Sequence, residues 1–372
     1  MNPMEQLRAQ GQAIWLDYIR RDILENGELE RLVRQDGVTG VTSNPAIFQK
    51  AIGESTDYDE ELRALLARDP ALSAAELYEE IAFGDIRRAA DILRPTYDST
   101  SGADGFVSLE VSPHLAHDTE ATLGEARRLW QRVDRPNLMI KIPATGAGIP
   151  AVEQALAEGI NVNITLMFSQ AHYEAVAGAY LRALERSPDP TRLASVASFF
   201  VSRVDTKVDR RLEEIERPEA LALRGKIAVA NSKVAYRRFE ELFHGEPFAE
   251  HRRRGAHVQR VLWASTSTKN PAYRDVLYVE ELIGAETVNT MPPATVEAFR
   301  DHGRVGPSLT EGLHEARAQL ERLTALGVDL DLVTEELQSE GVEKFAQPFD
   351  RLLATLEEKR RALQAVAAEP AG

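Results

Sequence analysis

Short apolar runs alternate along the 372 residues with longer stretches whose apolar positions recur every three or four residues, the first spacing a strand's and the second a helix's. The first strand is expected over 14–19, interrupted by Asp17, and the amphipathic stretch 28–35 reads as a helix closed by Gly37. A second strand, 38–43, stops at Asn44-Pro45, because proline cannot continue a hydrogen-bonded ladder. Over 56–94 the spacing predicts two helices broken at Asp69-Pro70, with Ser73 and Glu76 forming a capping box for the second, and the polar segment 96–105 reads as a loop. Strands follow at 106–111, 138–144, 160–166, 193–201, 258–263 and 286–291. Helical pattern separates most of them, including 118–132, the stretch opened by Gly146, Gly148 and Pro150, and the stretch after Ser169 with Tyr173, Val176, Tyr180 and Leu184 on one side.

Eight strands separated mostly by helices imply parallel pairing, and over this length they suit a single α/β (β/α)8 TIM barrel better than an open sheet. No glycine-rich phosphate loop follows the first strand, which weighs against a dinucleotide or nucleotide-triphosphate site. Residues 1–307 are expected to form the barrel, with a helical insertion around 56–94. From 308 to 372 the pattern is helical, with one stripe of Leu313, Leu320 and Leu323 and another of Phe349, Leu352, Leu353, Leu356 and Leu363. These read as a C-terminal helical appendage packed on the same domain, with 365–372 a frayed tail.

In a parallel barrel alternate side chains face the lumen, and chemistry gathers at the C-terminal ends of the strands. On the fifth strand Asn161, Asn163 and Thr165 share one face against Val162, Ile164 and Leu166; on the third, Ser108 and Glu110 share a face against Val107, Leu109 and Val111. The helix layer takes the apolar set, so the polar set points inward. The fourth strand carries Lys141 between Ile140 and Ile142, where an unpaired ammonium costs several kcal/mol unless it finds a carboxylate or loses its proton. Asp17, Asn44, Ser198 and Arg203 come from other strands or just beyond them. Singly, each has an ordinary structural reading: Asp17 a helix cap, Asn44 a residue before a proline turn, Thr165 a stand-in for valine. A lumen that receives them all from several strands points to a site rather than to packing.

Composition narrows the chemistry. With no cysteine, covalent catalysis falls to Lys, Ser, Thr or a carboxylate, and disulfides and thiolate metal sites are excluded. A net charge of −15 argues against nucleic acid or an anionic membrane as partner, while leaving room for an anionic metabolite at a local basic spot. The start of the chain has neither a basic region nor an apolar core of a leader, and no apolar run reaches a membrane span, so a cytoplasmic protein is expected. His114 and His117 are the nearest approach to a metal pair, in a loop beside the Asp118 cap, and no bundle of ligands converges on them.

The chain at this point resembles the transaldolases, Schiff-base enzymes of the class I aldolase superfamily. The blocks that carry the likeness are Asp17, Thr42-Ser43-Asn44-Pro45, Ser108-Leu109-Glu110-Val111, Ile140-Lys141-Ile142-Pro143-Ala144-Thr145 and Asn161-Val162-Asn163-Ile164-Thr165-Leu166-Met167-Phe168-Ser169. Ser198-Phe199-Phe200-Val201-Ser202-Arg203, Trp263-Ala264-Ser265-Thr266, Val288-Asn289-Thr290-Met291-Pro292 and Gly341-Val342-Glu343-Lys344-Phe345 extend it almost to the C-terminus. The resemblance implies transfer of a dihydroxyacetone unit from fructose 6-phosphate or sedoheptulose 7-phosphate to glyceraldehyde 3-phosphate or erythrose 4-phosphate, in the non-oxidative pentose phosphate pathway, without metal or cofactor. Lys141 would form the Schiff base and Asp17 would deprotonate the C4 hydroxyl. Glu110 and Thr165 would position the water of imine formation, Asn44 and Asn163 would hold the hydroxyls of the adduct, and Ser198 would support them. Arg203 and Ser265 would bind phosphate. The family carries an arginine shortly after the serine matching Ser265; here Lys269 stands in that stretch, a point charge without a bidentate fork. The same residues leave open a fructose-6-phosphate aldolase-type lyase and a non-catalytic sugar-phosphate-binding barrel, and a homo-oligomer is compatible with either.

Overall fold

A computed structural model describes residues 2–368. Eight parallel strands close into a barrel in chain order: β1 (Gln12–Leu16), β2 (Val38–Thr42), β3 (Phe106–Glu110), β4 (Leu138–Pro143), β5 (Val162–Met167), β6 (Ser195–Phe200), β7 (Arg260–Ala264) and β8 (Thr287–Met291), with β8 pairing back onto β1. Every position of β4, β5 and β6 is buried, as expected when one face packs into the lumen and the other under helices. The expected TIM barrel is therefore the architecture, and its helices cover the outside.

The register sets the level of the polar residues. Glu110 pairs with Lys141 and Lys141 with Asn163, so three neighbouring strands point a carboxylate, an ammonium and an amide to the same side at one height. The turn after β4 is fixed by a close approach: a Cβ on Gly148 would lie 2.0 Å from the Pro143 carbonyl oxygen, so no other residue lets the next helix begin so near the strand end.

Local expectations hold where capping and periodicity are strong. Helices Asp59–Arg68 and Ala74–Ser99 replace the two expected over 56–94, and both halves of the Ser73–Glu76 capping box form. Three readings need correction. The first strand is Gln12–Leu16 rather than 14–19: Gln12 is polar yet buried, its amide donating to the Leu282 carbonyl (2.6 Å) and the Thr287 hydroxyl (2.9 Å), and Asp17 lies one residue past the strand. The expected loop at 96–105 begins as helix, because Ala74–Ser99 continues through Pro95 and Tyr97 packs edge-on against Phe106 at 5.5 Å; tertiary contact outweighs the proline. Asn161 lies before β5 at the opposite end of the barrel from the site, donating to the Pro136 and Leu138 carbonyls and accepting from the Ala194 amide.

The C-terminal region forms helices Leu313–Ala325 and Leu330–Ala368, the second 39 residues long and crossing the strand ends. The Gln338 amide nitrogen donates to the carbonyls of Ala144 (2.9 Å) and Leu166 (3.1 Å), just past β4 and near the end of β5. Leu166 has φ +60°, at the break in register between β5 and β6, and this strained, bulged residue turns its carbonyl out of the ladder. Gly341 lets the helix come close, since a Cβ there would be 2.9 Å from the Leu166 side chain. The part of the tail reading at 369–372 lies outside the described residues. Among the described residues no helix is long and apolar enough to cross a membrane. Gln338→Ala removes both hydrogen bonds and leaves two carbonyls unpaired, so it is expected to lower stability by about 2 kcal/mol in urea denaturation, with the slope unchanged.

Candidate active site

The strand ends of the barrel open into a cavity of about 450 Å³. Lys141, Arg203, Lys269 and Lys50 line it against a single carboxylate, Asp17. In a chain of net charge −15 that is a local reversal of sign, and in a concave site it focuses a positive potential on whatever enters.

Lys141 lies at the floor, its side chain 7% exposed. The ammonium donates to the Ser43 carbonyl (3.2 Å), stands 3.6 Å from Glu110 Oε2 and lies 5.4 Å from the Phe345 ring centroid. Burial pushes the Glu110 carboxyl up to about 7 against the opposing pull of Lys141, so near neutrality this group both takes and gives a proton. Asp17 is also raised by burial, countered by Lys141 and by a 2.7 Å hydrogen bond from the Thr42 hydroxyl. The Thr42 and Thr290 hydroxyls are 2.7 Å apart; because Thr42 gives its proton to Asp17, Thr290 is the donor of that pair.

The amide of Asn163 is fixed at both ends. Its nitrogen donates to Ser108 Oγ (3.0 Å), and its oxygen accepts from Ser198 Oγ (2.6 Å). Asn44 caps the helix Pro45–Phe48, its side-chain oxygen accepting from the Ile47 amide at 3.0 Å, and this holds the residue at the cavity wall. Three polar atoms here are buried without a hydrogen-bond partner among the described residues: Glu110 Oε2, Thr165 Oγ1 and Arg203 Nη1. Buried polar atoms are rarely left so, and the two that belong to cavity-lining residues, on Thr165 and Arg203, mark capacity for a polar ligand there.

Arg203 opens the helix Ser202–Ile215 and lays its guanidinium over Phe200 (5.1 Å) and Phe345 (5.9 Å). Burial lowers its pKa, with Asp17 and Glu110 partly restoring it. Ser265, at φ +58° just past β7, has its hydroxyl 2.9 Å from that of Ser202. Lys269 donates to Ser267 Oγ (2.7 Å), and its pKa falls through partial burial and the neighbouring Arg203 charge. Two cations that repel each other across one wall favour a dianion between them.

All ten residues expected from the sequence gather here, and eight of them line one floor and wall. Asn163 meets them through the Ser198 hydroxyl and stands in register with Lys141, and Glu110, 3.6 Å from Lys141, borders a separate cavity. Tyr18, Lys50, Ser267, Thr290 and Phe345 also line the site; the family-like stretches contain Thr290 and Phe345 but imply no role for either. Lys50 follows Asn44-Pro45 by one helical turn and could have been found by placing that turn; Phe345 arrives from a helix whose path no local pattern reveals. Among the described residues no group of three or more His, Asp or Glu side chains is arranged to hold a metal ion, and His114 instead meets Asp350 at 2.7 Å.

The family model for Transaldolase/Fructose-6-phosphate aldolase matches residues 14–356. The chain belongs to this family. It is 52% identical to a transaldolase of Parafrankia sp. strain EAN1pec, over 96% of this chain and 98% of that protein. It is 51% identical to a transaldolase of Thermobifida fusca (95% and 96%) and 46% identical to transaldolase 2 of Nostoc punctiforme (98% and 99%). The likeness spans the strands, the cavity wall and the segment bearing Phe345 alike.

The raised Glu110 carboxyl has a measurable signature. Between pH 4.5 and about 7 the folded chain holds a proton there that the unfolded chain has lost, so this group makes stability fall as pH rises through that window. Glu110→Gln removes the slope. Urea denaturation across pH 4.5 to 8 is therefore expected to show the variant gaining on the wild type up to about pH 7 and then levelling; a constant difference would place the carboxyl at its ordinary value.

Proposed function

We propose that this chain is a transaldolase that moves a dihydroxyacetone unit between sugar phosphates through a Schiff base on Lys141, as a single catalytic domain acting in the cytoplasm in the non-oxidative pentose phosphate pathway. The observation that carries the reading is a buried ammonium 3.6 Å from a carboxyl poised near 7, at the floor of a cavity whose other walls are cationic and carry unsatisfied polar atoms. Lys141 gives a proton to Glu110 and its amine adds to the ketose C2 carbonyl. The carbinolamine then loses its hydroxyl as water, protonated by Glu110, leaving the iminium. Asp17 takes the C4 hydroxyl proton as the C3–C4 bond breaks, the electron pair flows into the iminium and an aldose phosphate leaves. An acceptor aldehyde adds to the resulting enamine, Asp17 returns the proton to the new alkoxide, and one water hydrolyses the new iminium to free the ketose product and Lys141. Asn163, locked by Ser108 and Ser198, is placed to hold the hydroxyls of the waiting three-carbon unit, together with Asn44. Arg203, Ser265 and Lys269 form the phosphate end.

Borohydride added with fructose 6-phosphate is expected to fix a dihydroxyacetone-derived mass on Lys141 and none on Lys141→Ala. Without an acceptor, little free dihydroxyacetone should accumulate; steady release would make the chain a fructose-6-phosphate aldolase-type lyase. At the phosphate end, Arg203→Ala is expected to raise KM for phosphorylated substrates by roughly tenfold or more, and Lys269→Ala by less, because a guanidinium forms a charge-assisted fork and an exposed ammonium does not. The reverse ranking in steady-state kinetics would move the main phosphate contact to Lys269.

A further inference from the structure

A second cavity, of about 330 Å³, lies outside the barrel wall between the helices Ala74–Ser99 and Thr119–Val133 and the long C-terminal helix. Glu110 borders this cavity and not the substrate cavity, whereas Lys141 borders the substrate cavity and not this one. The ion pair at 3.6 Å is therefore the partition between the two spaces. We infer that the rear cavity is the route by which water leaves and reaches Glu110 during imine formation and hydrolysis, with the Tyr78 hydroxyl as a positioning group on that route. The inference rests on the Schiff-base reading of Lys141.

The need for such a route follows from the stoichiometry. A lysine ammonium and a ketone give an iminium and one water, and the reverse step consumes one water. Both occur while a sugar phosphate occupies the front cavity, where Phe345 packs beside Lys141 and Arg203, so bound substrate stands between the lysine and the front mouth when water must move. The rear space is large enough for several waters, and within a lining that is mostly apolar Tyr78, Ser112, Glu79, Glu125 and Arg128 supply polar partners for them. Arg128 donates to Glu125 (2.8 Å) and Glu79 (2.8 Å), and these three side chains are 39%, 20% and 23% exposed, so the outer wall of the cavity meets solvent. Tyr78 is held by edge contacts to Phe48 and Phe349, both at 5.7 Å. Burial and the charges of Glu110, Glu79 and Glu125 push its phenol pKa up, which keeps a neutral hydroxyl able to donate and accept between the inner and outer carboxylates.

The test uses the full chain and fructose 6-phosphate labelled with 18O at C2. Enzymatic washout of that label requires imine formation, departure of the labelled water and rehydration by bulk water. Ala75 is exposed at the start of the helix Ala74–Ser99 and borders the rear cavity, so Ala75→Phe plugs the outer end with little risk to folding. Tyr78→Phe removes one hydroxyl and keeps the wall. Both variants are expected to slow washout about tenfold, at unchanged KM for the ketose phosphate and with the same final yield of borohydride-trapped adduct. Unaltered washout in both overturns the inference, as does slowing with a parallel rise in KM, which would place the effect in the front cavity. If the wild-type chain traps no adduct at all, the Schiff-base reading falls instead, so the two failures are told apart.

Discussion

The structure depends on how one buried charge is tolerated. An ammonium inside a barrel loses most of its hydration, and the Lys141 charge is offset by a carboxyl 3.6 Å away and one backbone carbonyl at 3.2 Å. The partner suffers in turn: burial raises the Glu110 carboxyl to about 7, so near neutrality it is poised to take or give a proton. Parallel register places the two at one height, and the same register adds Asn163 beside them.

Around this centre the molecule sorts charge by depth. Cations line the cavity wall, a single carboxylate faces them, and the excess negative charge of the chain lies elsewhere. Aromatic rings stand between the cations: Phe345 touches both Lys141 and Arg203, and Phe200 backs the guanidinium. The rings lower the local dielectric, which strengthens the pull of each cation on an anion held nearby. Asp17, also raised by burial, fits the same scheme, since a carboxylate that dislikes its charge is a better base than one at the surface.

Much of this could be read from the chain alone, for physical reasons that differ by element. The alternation of Val162, Asn163, Ile164 and Thr165 is legible because a strand has two faces and only one suits a helix layer. Lys141 stands out because nothing in a folding core calls for it. Asp17 was placed inside a strand it only follows, since a carboxylate after Leu16 looks the same whether the ladder has ended or not. Asn161 shares the periodicity of Asn163 but lies at the other end of the barrel, because alternation reports the face and not the height. Phe345, Gln338 and the rear cavity were beyond local pattern altogether: each depends on where a helix from the far end of the chain crosses, and that path is fixed by distant contacts.

The hydrogen bonds of Gln338 also tie together parts of the chain that are far apart in sequence. All eight strands precede residue 292, whereas Gln338 and Phe345 belong to the helix Leu330–Ala368. The contacts that Gln338 and Phe345 make at the strand ends therefore join the barrel to a helix that follows every strand in sequence, and the surroundings of Lys141 are completed by a segment about two hundred residues away.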